Sequence, residues 1–512
     1  MLLSQEKNKK GISENNKNKL FYGDNLEILR KYIQNESIDL CYIDPPFNSK
    51  RNYNQIYLNQ GREDTAQAQA FIDTWTWDDV AEEGLAEIIF NEETRFTNQT
   101  QHLISGFKSV LGKGDLLAYL VSMTLRITEI HRSLKPTGSF YLHCDPTASH
   151  YLKLILDSVF CAQRGQFQNE IIWHYRRWTG KAAKFQELHD VIFFYTKTDN
   201  YKFNVQYTPY TEGSKSRKEQ GVLHRFKKGE APYLVSDGEV DEKGVRENDV
   251  WHIPFIAPSA KERLGYPTQK PETLLEKIIL ASSNKGDVIL DAYCGCGTTV
   301  AVAENLDRNW VGMDITYQSI SLILKRLEES FGKKAVEKIE LNGVPKDMES
   351  AIALAHKKDD RVRKEFEKWT VLTYSDNKAM INEKKGADGG IDGRMNIIHN
   401  QDQDILPVTF SVKSGHIKRE YISSFNSDSQ REGAAFGIFI TLEEPTKSMK
   451  EEAKKCGTYK NELTGTIYDK IQIITVEQIL SGKRLHVPVA LKAVKDAKFK
   501  GKDIGQEKLN FE

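Results

Sequence analysis

Ser37-Ile-Asp-Leu-Cys-Tyr-Ile43 runs straight into Asp44-Pro45-Pro46-Phe47. The first seven residues are β-rich and largely apolar, which predicts a buried strand of the kind found in parallel α/β sheets. The tetrapeptide ends it abruptly. Open α/β sheets gather ligand chemistry at the carboxyl edge of their strands, which is where Asp44 falls. Two prolines fix φ and lack an N–H, so the carbonyls of Asp44 and Pro45 are left rigid as acceptors. One carboxylate, one fixed carbonyl and the aromatic face of Phe47 suit a planar ring bearing an exocyclic amine.

Outward from this strand the texture stays α/β. Leu20–Asp24 reads as a short strand leading into a helix over Asn25–Tyr32. Residues 60–113 read as polar helices and loops. Leu116–Leu134 has helical apolar spacing, and Pro136-Thr-Gly138 stops it before a strand at Ser139–His143. Ala148–Phe160 is a further amphipathic helix. Alternation returns with Gln269–Ser283, Asp287–Leu290, Thr298–Glu304, Asn309–Met313 and Tyr317–Glu328, and argues a parallel sheet.

Between the strand Asp287-Val-Ile-Leu290 and the helix at Thr298 lies Asp291-Ala-Tyr-Cys294-Gly295-Cys-Gly297. Its glycines allow a tight turn and close approach of a ligand to the backbone. The next strand ends in Asp314, where a carboxylate can accept both hydroxyls of a ribose. A dinucleotide site would want G-x-G-x-x-G, which Thr298 and Thr299 do not supply.

The chain has 512 residues, enough for about three domains of ~150 residues. Its composition is that of an ordinary globular protein, which sets aside collagen, coiled coil and wholesale disorder. No stretch approaches the ~18 consecutive apolar residues of a membrane span. The Lys- and Asn-rich start has no apolar segment typical of a secretory signal. Six cysteines read as reduced thiols of a cytoplasmic protein, and they lack paired zinc spacing.

Lys+Arg and Asp+Glu balance at 72 each, but the charge is segregated. Residues 171–229 carry 12 Lys/Arg against 5 Asp/Glu, and residues 61–100 carry 2 against 10. A basic block of this kind is the footprint of a polyanion site. Within it Trp173, Tyr175, Arg176, Arg177, Trp178, Lys181 and Lys184 interleave rings with cations. Lys215, Arg217, Lys218, Arg225, Lys227 and Lys228 add charge suited to phosphates. Trp75 and Trp77 read as packing residues.

Four motifs fall in one order: Tyr22-Gly23-Asp24, Asp44-Pro-Pro-Phe47, Tyr266-Pro-Thr-Gln-Lys270-Pro271 and Asp291 to Gly297. Together they resemble the S-adenosylmethionine-dependent amino-methyltransferases of DNA. Catalytic motif first, basic insert next and cofactor loop last is the β group of that family. The resemblance covers residues 20–340. Ala292-Tyr293 stands where Pro-Phe is commoner and Cys296 where Ser is, and neither change removes a glycine.

This resemblance implies a Rossmann-like mixed α/β sheet with an inserted target-recognition region. It implies S-adenosylmethionine as cofactor and double-stranded DNA as partner, the target base being flipped out. The catalytic group would be Asp44, Pro45, Pro46 and Phe47, with Phe47 stacking on the base. Asp24, Thr268, Lys270, Asp291, Cys294, Gly295, Gly297, Thr298 and Asp314 would surround the cofactor, Asp24 on its adenine amine and Asp314 on its ribose. Arg176, Arg177, Lys181 and Lys184 would meet DNA. Asp as first letter of the tetrapeptide points to adenine N6. Cytosine N4, an RNA substrate and a silent DNA-binding module remain open.

Further on, Gly389-Gly-Ile-Asp392-Gly393 and Val408-Thr-Phe-Ser411-Val-Lys413 resemble the core of restriction-endonuclease-like (Mrr-like) folds, a smaller α/β domain. The resemblance implies a Mg²⁺ site including Asp392, with Lys413 beside it. Ser411 stands where an acid or Gln belongs, which weakens that site, and Glu365 or Glu367 would have to compensate. Cleavage and a silent module are both open. The expected layout is a flexible tail over 1–19, a catalytic half over 20–165 and a recognition insert over 166–261. A cofactor half over 262–344, a linker with nuclease-like domain over 345–480 and a basic tail over 481–512 follow. This is the plan of a restriction–modification protein of the cytoplasm, associated with the nucleoid, and a homodimer is compatible with it.

Overall fold

A computed structural model describes residues 18–46, 51–59, 62–73, 75–176, 183, 185–213, 216, 224–225, 233–234, 244–257, 259–266, 268–356, 360–382, 390–402, 404–485, 487–488 and 490. The two tails expected from composition lie outside these residues, apart from 18–19 and the start of the second.

The first body of structure is built on β1 (Lys19–Tyr22), α1 (Asn25–Tyr32), β2 (Ile38–Ile43), α2 (Asp115–Ser133), β3 (Leu134–Cys144) and α3 (Pro146–Val159). It continues with β4 (Gln166–His174), β5 (His189–Thr196), β6 (Val250–His252), α4 (Glu272–Ser282) and β7 (Val288–Asp291). It ends with α5 (Thr298–Asn305), β8 (Asn309–Asp314), α6 (Tyr317–Phe331) and β9 (Glu340–Asn342). The strands form one nine-stranded mixed sheet in the order β6-β4-β5-β3-β2-β7-β8-β1-β9. Every pairing is parallel except those of β5 with β3 and β4.

All six residues of β2 are buried, as a central parallel strand covered on both faces requires. Asp39 is the one acid in that run. Lys135 and Lys202 donate to it at 2.6 and 2.8 Å and the Val288 amide at 3.0 Å, so its charge is buried only with partners. The parallel register Leu290↔Cys41, Asp291↔Gly312 and Tyr22↔Asp314 brings the carboxyl ends of β2, β7, β8 and β1 to one edge. Asp44, Asp291, Asp314 and Asp24 therefore meet there.

Three local expectations change. Helix α2 stops at Ser133, ahead of Pro136 as expected, but β3 begins at once at Leu134 rather than at Ser139, with irregular pairing between Ile38 and Leu40 where Pro136 falls. Residues 60–113 contain the expected helices at Asp79–Phe90 and Asn98–Leu111, but also the strand Arg62–Asp73, which forms a hairpin with Arg51–Asn59. The region expected as an insert from 166 supplies β4, β5 and β6, because its aromatic stretches are buried within the sheet.

A second sheet contains β10 (Met380–Ile381), β11 (Gly393–Ile398), β12 (Ile405–Lys413), β13 (Phe436–Thr441) and β14 (Ile471–Thr475). Its order is sequential, antiparallel from β10 to β12 and parallel from β12 to β14. Helix α7 (Asp360–Tyr374) joins the two bodies by packing on α6. Glu365 accepts from the Tyr317 amide at 2.7 Å, and the Tyr317 hydroxyl meets Thr373 at 2.9 Å. Among the described residues no helix is long and apolar enough to cross a membrane.

Candidate active site

Asp44 follows β2 directly. Lys270 Nζ donates to its Oδ2. Its Oδ1 is buried, and among the described residues no group donates a hydrogen bond to it. His143 Nδ1 stands 3.9 Å from it. Behind Asp44 stands a buried polar group drawn from three neighbouring strands and the residue after β4. The Tyr42 hydroxyl meets His143 Nδ1 at 2.9 Å, and His143 Nε2 meets Asp190 Oδ2 at 3.1 Å. Tyr175 donates its hydroxyl proton to Asp190 Oδ1 at 3.0 Å. Burial pushes the Asp190 carboxyl up, but the His143 hydrogen bond, the charges of His143 and Lys270 and the Tyr175 hydroxyl bring it below its ordinary value.

The glycine turn lies opposite. Gly295 and Gly297 have φ of +51° and +74°, the left-handed region that glycine enters without strain. A Cβ on Gly297 would stand 2.7 Å from Ile323 of α6, so this glycine also lets the turn seat on the helix. The Gly295 amide donates to Asp314 Oδ2 at 2.8 Å, while Asp314 Oδ1 accepts the Thr316 amide and hydroxyl at 2.9 and 3.0 Å. Asp291 accepts the Tyr293 amide at 2.9 Å. Burial raises Asp291 to about 7, helped by the charges of Asp44 and Asp314, and raises Asp314 to about 6. Carboxylates gathered at one edge, those of Asp291 and Asp314 short of compensation, make a place where positive charge is stabilised.

Asp24 first serves the fold. It caps α1 by accepting from the Leu26 and Glu27 amides at 2.9 and 3.2 Å, and pairs with Arg126 at 2.8 Å. Arg126 also donates to Asn25 at 2.6 Å, and Asn25 donates to the Ala292 carbonyl at 2.8 Å, tying the cap to the glycine turn. Lys270, expected among the residues around the cofactor, lies on Asp44 and on the Thr268 carbonyl at 3.3 Å. Thr268 itself is a β-branched residue at φ +61°, an uncommon conformation held at the site.

Two expected cofactor groups turn inward. Cys294 is buried in the core, and a Cβ on Gly312 would come within 2.8 Å of its sulfur, so it is a packing residue. The Thr298 hydroxyl accepts from Arg326 at 3.1 Å, and the buried Arg326 pairs with Glu272 at 2.7 Å, clamping α4 to the turn. Trp173 and Tyr175 are also buried, Trp173 donating to the Ile253 carbonyl at 2.8 Å, because β4 belongs to the sheet. Arg176 is exposed just beyond them. Phe47, Arg177, Trp178, Lys181 and Lys184 lie outside the described residues, as do Lys215, Arg217, Lys218, Lys227 and Lys228. Trp75 and Trp77 pack against the core.

Sequence reasoning missed Tyr42, His143, Asp190, Asn25 and Arg126. The signal for His143 is its place at the end of an apolar strand, Ser139-Phe-Tyr-Leu-His143, level with Asp44. Asp190 and Arg126 carried none, since their partners are remote in the chain.

In the second body Asp392 Oδ2 accepts the Val412 amide at 2.7 Å and Ser411 is buried. Glu365 is turned to the first body, where Lys368 also pairs with it at 2.9 Å. Among the described residues no group of three or more His, Cys, Asp or Glu side chains is placed to hold a metal ion. The donors described around Asp392 and Lys413 thus do not fit a Mg²⁺ ion.

A mixed sheet with an acid-Pro-Pro turn facing a glycine turn across the carboxyl edge defines a group-transfer enzyme of the α/β class. Residues 38–325 match a DNA methylase family model, and the chain belongs to that family. Residues 362–478 match a restriction endonuclease family model. The chain is 27% identical over 311 residues to the DNA adenine methyltransferase YhdJ of Escherichia coli K12, covering 60% of this chain and 82% of that protein. It is 30% identical over 207 residues to the type II methyltransferase M.HpaI of Haemophilus parainfluenzae, covering 40% of this chain and 58% of that protein. The crystal structure of the M1.HpyAVI-SAM complex superposes with a TM-score of 0.34 at 16% identity, over 60% of this chain and 98% of that one.

Proposed function

We propose that this chain transfers the methyl group of S-adenosylmethionine to N6 of adenine in double-stranded DNA. The observation that carries this reading is the buried Oδ1 of Asp44, to which no described group donates, in a residue followed directly by buried Pro45. A purine amine brought there would give one N–H to Oδ1 and one to the Pro45 carbonyl. Its lone pair, otherwise delocalised into the ring, would then be localised on nitrogen and aimed at the methyl group. Lys270 fixes the other carboxylate oxygen and so sets the direction in which Oδ1 points.

The cofactor supplies an electrophilic methyl group on a cationic sulfur. The raised carboxyls of Asp291 and Asp314 fit such a cation, Asp314 has the place for the ribose, and Gly295 and Gly297 leave room at the backbone. Asp24 would meet the adenine amine with lone pairs left over from its cap. A base reaches Asp44 only after leaving the duplex, with Phe47 to stack on it. Residues 20–165 and 262–344 are the two halves of the transferase, with DNA recognised by Arg176, Arg177, Lys181 and Lys184 between them. The relative named an adenine methyltransferase and the Asp at position 44 both favour adenine over cytosine. The endonuclease match supports a restriction–modification or DNA-defence setting, and the enzyme would act on nucleoid DNA in the cytoplasm. Sedimentation with and without DNA would report a homodimer.

Asp44→Ala should lower methyl transfer by at least about 100-fold while calorimetry shows S-adenosylmethionine still binding. Unchanged turnover would remove Asp44 from the reaction.

A further inference from the structure

Methylation leaves a positively charged nitrogen that must give up a proton. Asp44 is a poor final holder of it, because Lys270 lies on its other oxygen and stabilises the anion. His143 stands behind it, fully buried, with each ring nitrogen near a polar group. A carboxylate only accepts hydrogen bonds, so Asp190 fixes the proton of the neutral ring on Nε2. Nδ1 then carries no proton and accepts the Tyr42 hydroxyl at 2.9 Å, with Asp44 Oδ1 3.9 Å away, so the Tyr42 hydroxyl must turn aside before Nδ1 takes a proton. Bonds of this kind are often long in a ligand-free enzyme and tighten with substrate.

We propose that His143, oriented by Asp190, takes the proton that leaves the methylated amine by way of Asp44. This rests on the methyl-transfer reading above. The nitrogen lone pair forms the N–C bond, and the C–S bond breaks with its electrons staying on sulfur. An N–H proton then passes to Asp44 Oδ1 and from there to His143 Nδ1. The imidazolium is held by the Asp190 carboxylate until product leaves, when the proton is lost to water. His143 acts through Asp44 and is a positioning and relay residue. The titratable or charged groups facing the ring are Tyr42 and Asp44 beside β2 and Asp190 beside β5, with Tyr175 and Lys270 one group further out. Trp173 contributes an aromatic edge at 5.5 Å.

Single-turnover transfer on the full chain tests this with His143→Gln, whose amide keeps a donor but takes no proton. The expected result is a rate lower by about 100-fold or more, with KM for DNA and the cofactor Kd within about threefold. Asp190→Asn, a second variant should the first not fold, should slow transfer with cofactor binding likewise unchanged. A His143→Gln rate within threefold of wild type, or a loss matched by loss of cofactor binding, overturns the relay. Wild-type protein that methylates no DNA overturns the methyl-transfer reading first, and the relay with it.

Discussion

Lys270 Nζ donates to Oδ2 of Asp44, joining the segment before α4 to the end of β2 across 226 residues of chain. Both side chains are largely buried, at 9% and 18% exposure. Removing the cation leaves an uncompensated carboxylate. Lys270→Met should therefore destabilise the fold by about 3 kcal/mol, the lower end for a broken buried pair. It should also lower the transfer rate, because the carboxylate loses the cation that fixes its orientation. Denaturant unfolding and single-turnover transfer check this, and a variant as stable and active as wild type would mean the pair is incidental.

Asp291 and Asp314 set a pH dependence with a definite sign. Their carboxyls are raised to about 7 and about 6, against about 3.9 in an unfolded chain. The ligand-free fold thus binds more protons than the unfolded chain between about pH 4 and 7. Whatever stability these two acids lend is complete below about pH 4 and is lost as pH rises through 6 and 7. A cationic ligand favours the ionised forms, so cofactor affinity should climb from pH 5 to about pH 7 and then level off, with protons released on binding. Calorimetry in buffers of different ionisation enthalpy measures that release. Affinity that is flat or falls over this range contradicts it.

Gly297→Ala meets two penalties at once, a φ of +74° and a Cβ 2.7 Å from Ile323. A loss of about 1–3 kcal/mol is expected from the strained backbone alone. Ile323→Ala in the same chain should recover only the part due to the clash. Equilibrium unfolding of the single and double variants separates the two contributions.

The inward position of Cys294 can be tested by alkylation. Burial pushes its thiol well above the ordinary value, as it does those of Cys41 and Cys144. Cys161 is the exposed cysteine, so peptide mapping after brief alkylation should find it modified first and Cys294 spared. Modification of Cys294 that cofactor prevents would return it to the pocket.

The parallel sheet and the acids at its edge were legible because they are written locally. An apolar run that ends in Asp44-Pro-Pro, and a glycine turn followed by Asp314, each carry their meaning within about a dozen residues. The helix Asn25–Tyr32 was legible for the same reason, having its cap at Asp24 beside it. What was not legible depends on pairing between remote segments. Trp173 and Tyr175 look like surface rings among cations until β4 is placed beside β5 and β6. Glu365 looks like a metal ligand until α7 is set on α6, where it accepts the Tyr317 amide. His143 shows its surroundings only once β3 lies between β2 and β5.

The most direct test is the identity of the methylated base. The protein is incubated with labelled S-adenosylmethionine and mixed-sequence DNA, and the DNA is then digested to nucleosides. Label is expected on N6-methyladenine. Label on N4-methylcytosine would contradict the assignment of adenine, and cofactor binding with no label in DNA would contradict DNA methylation altogether.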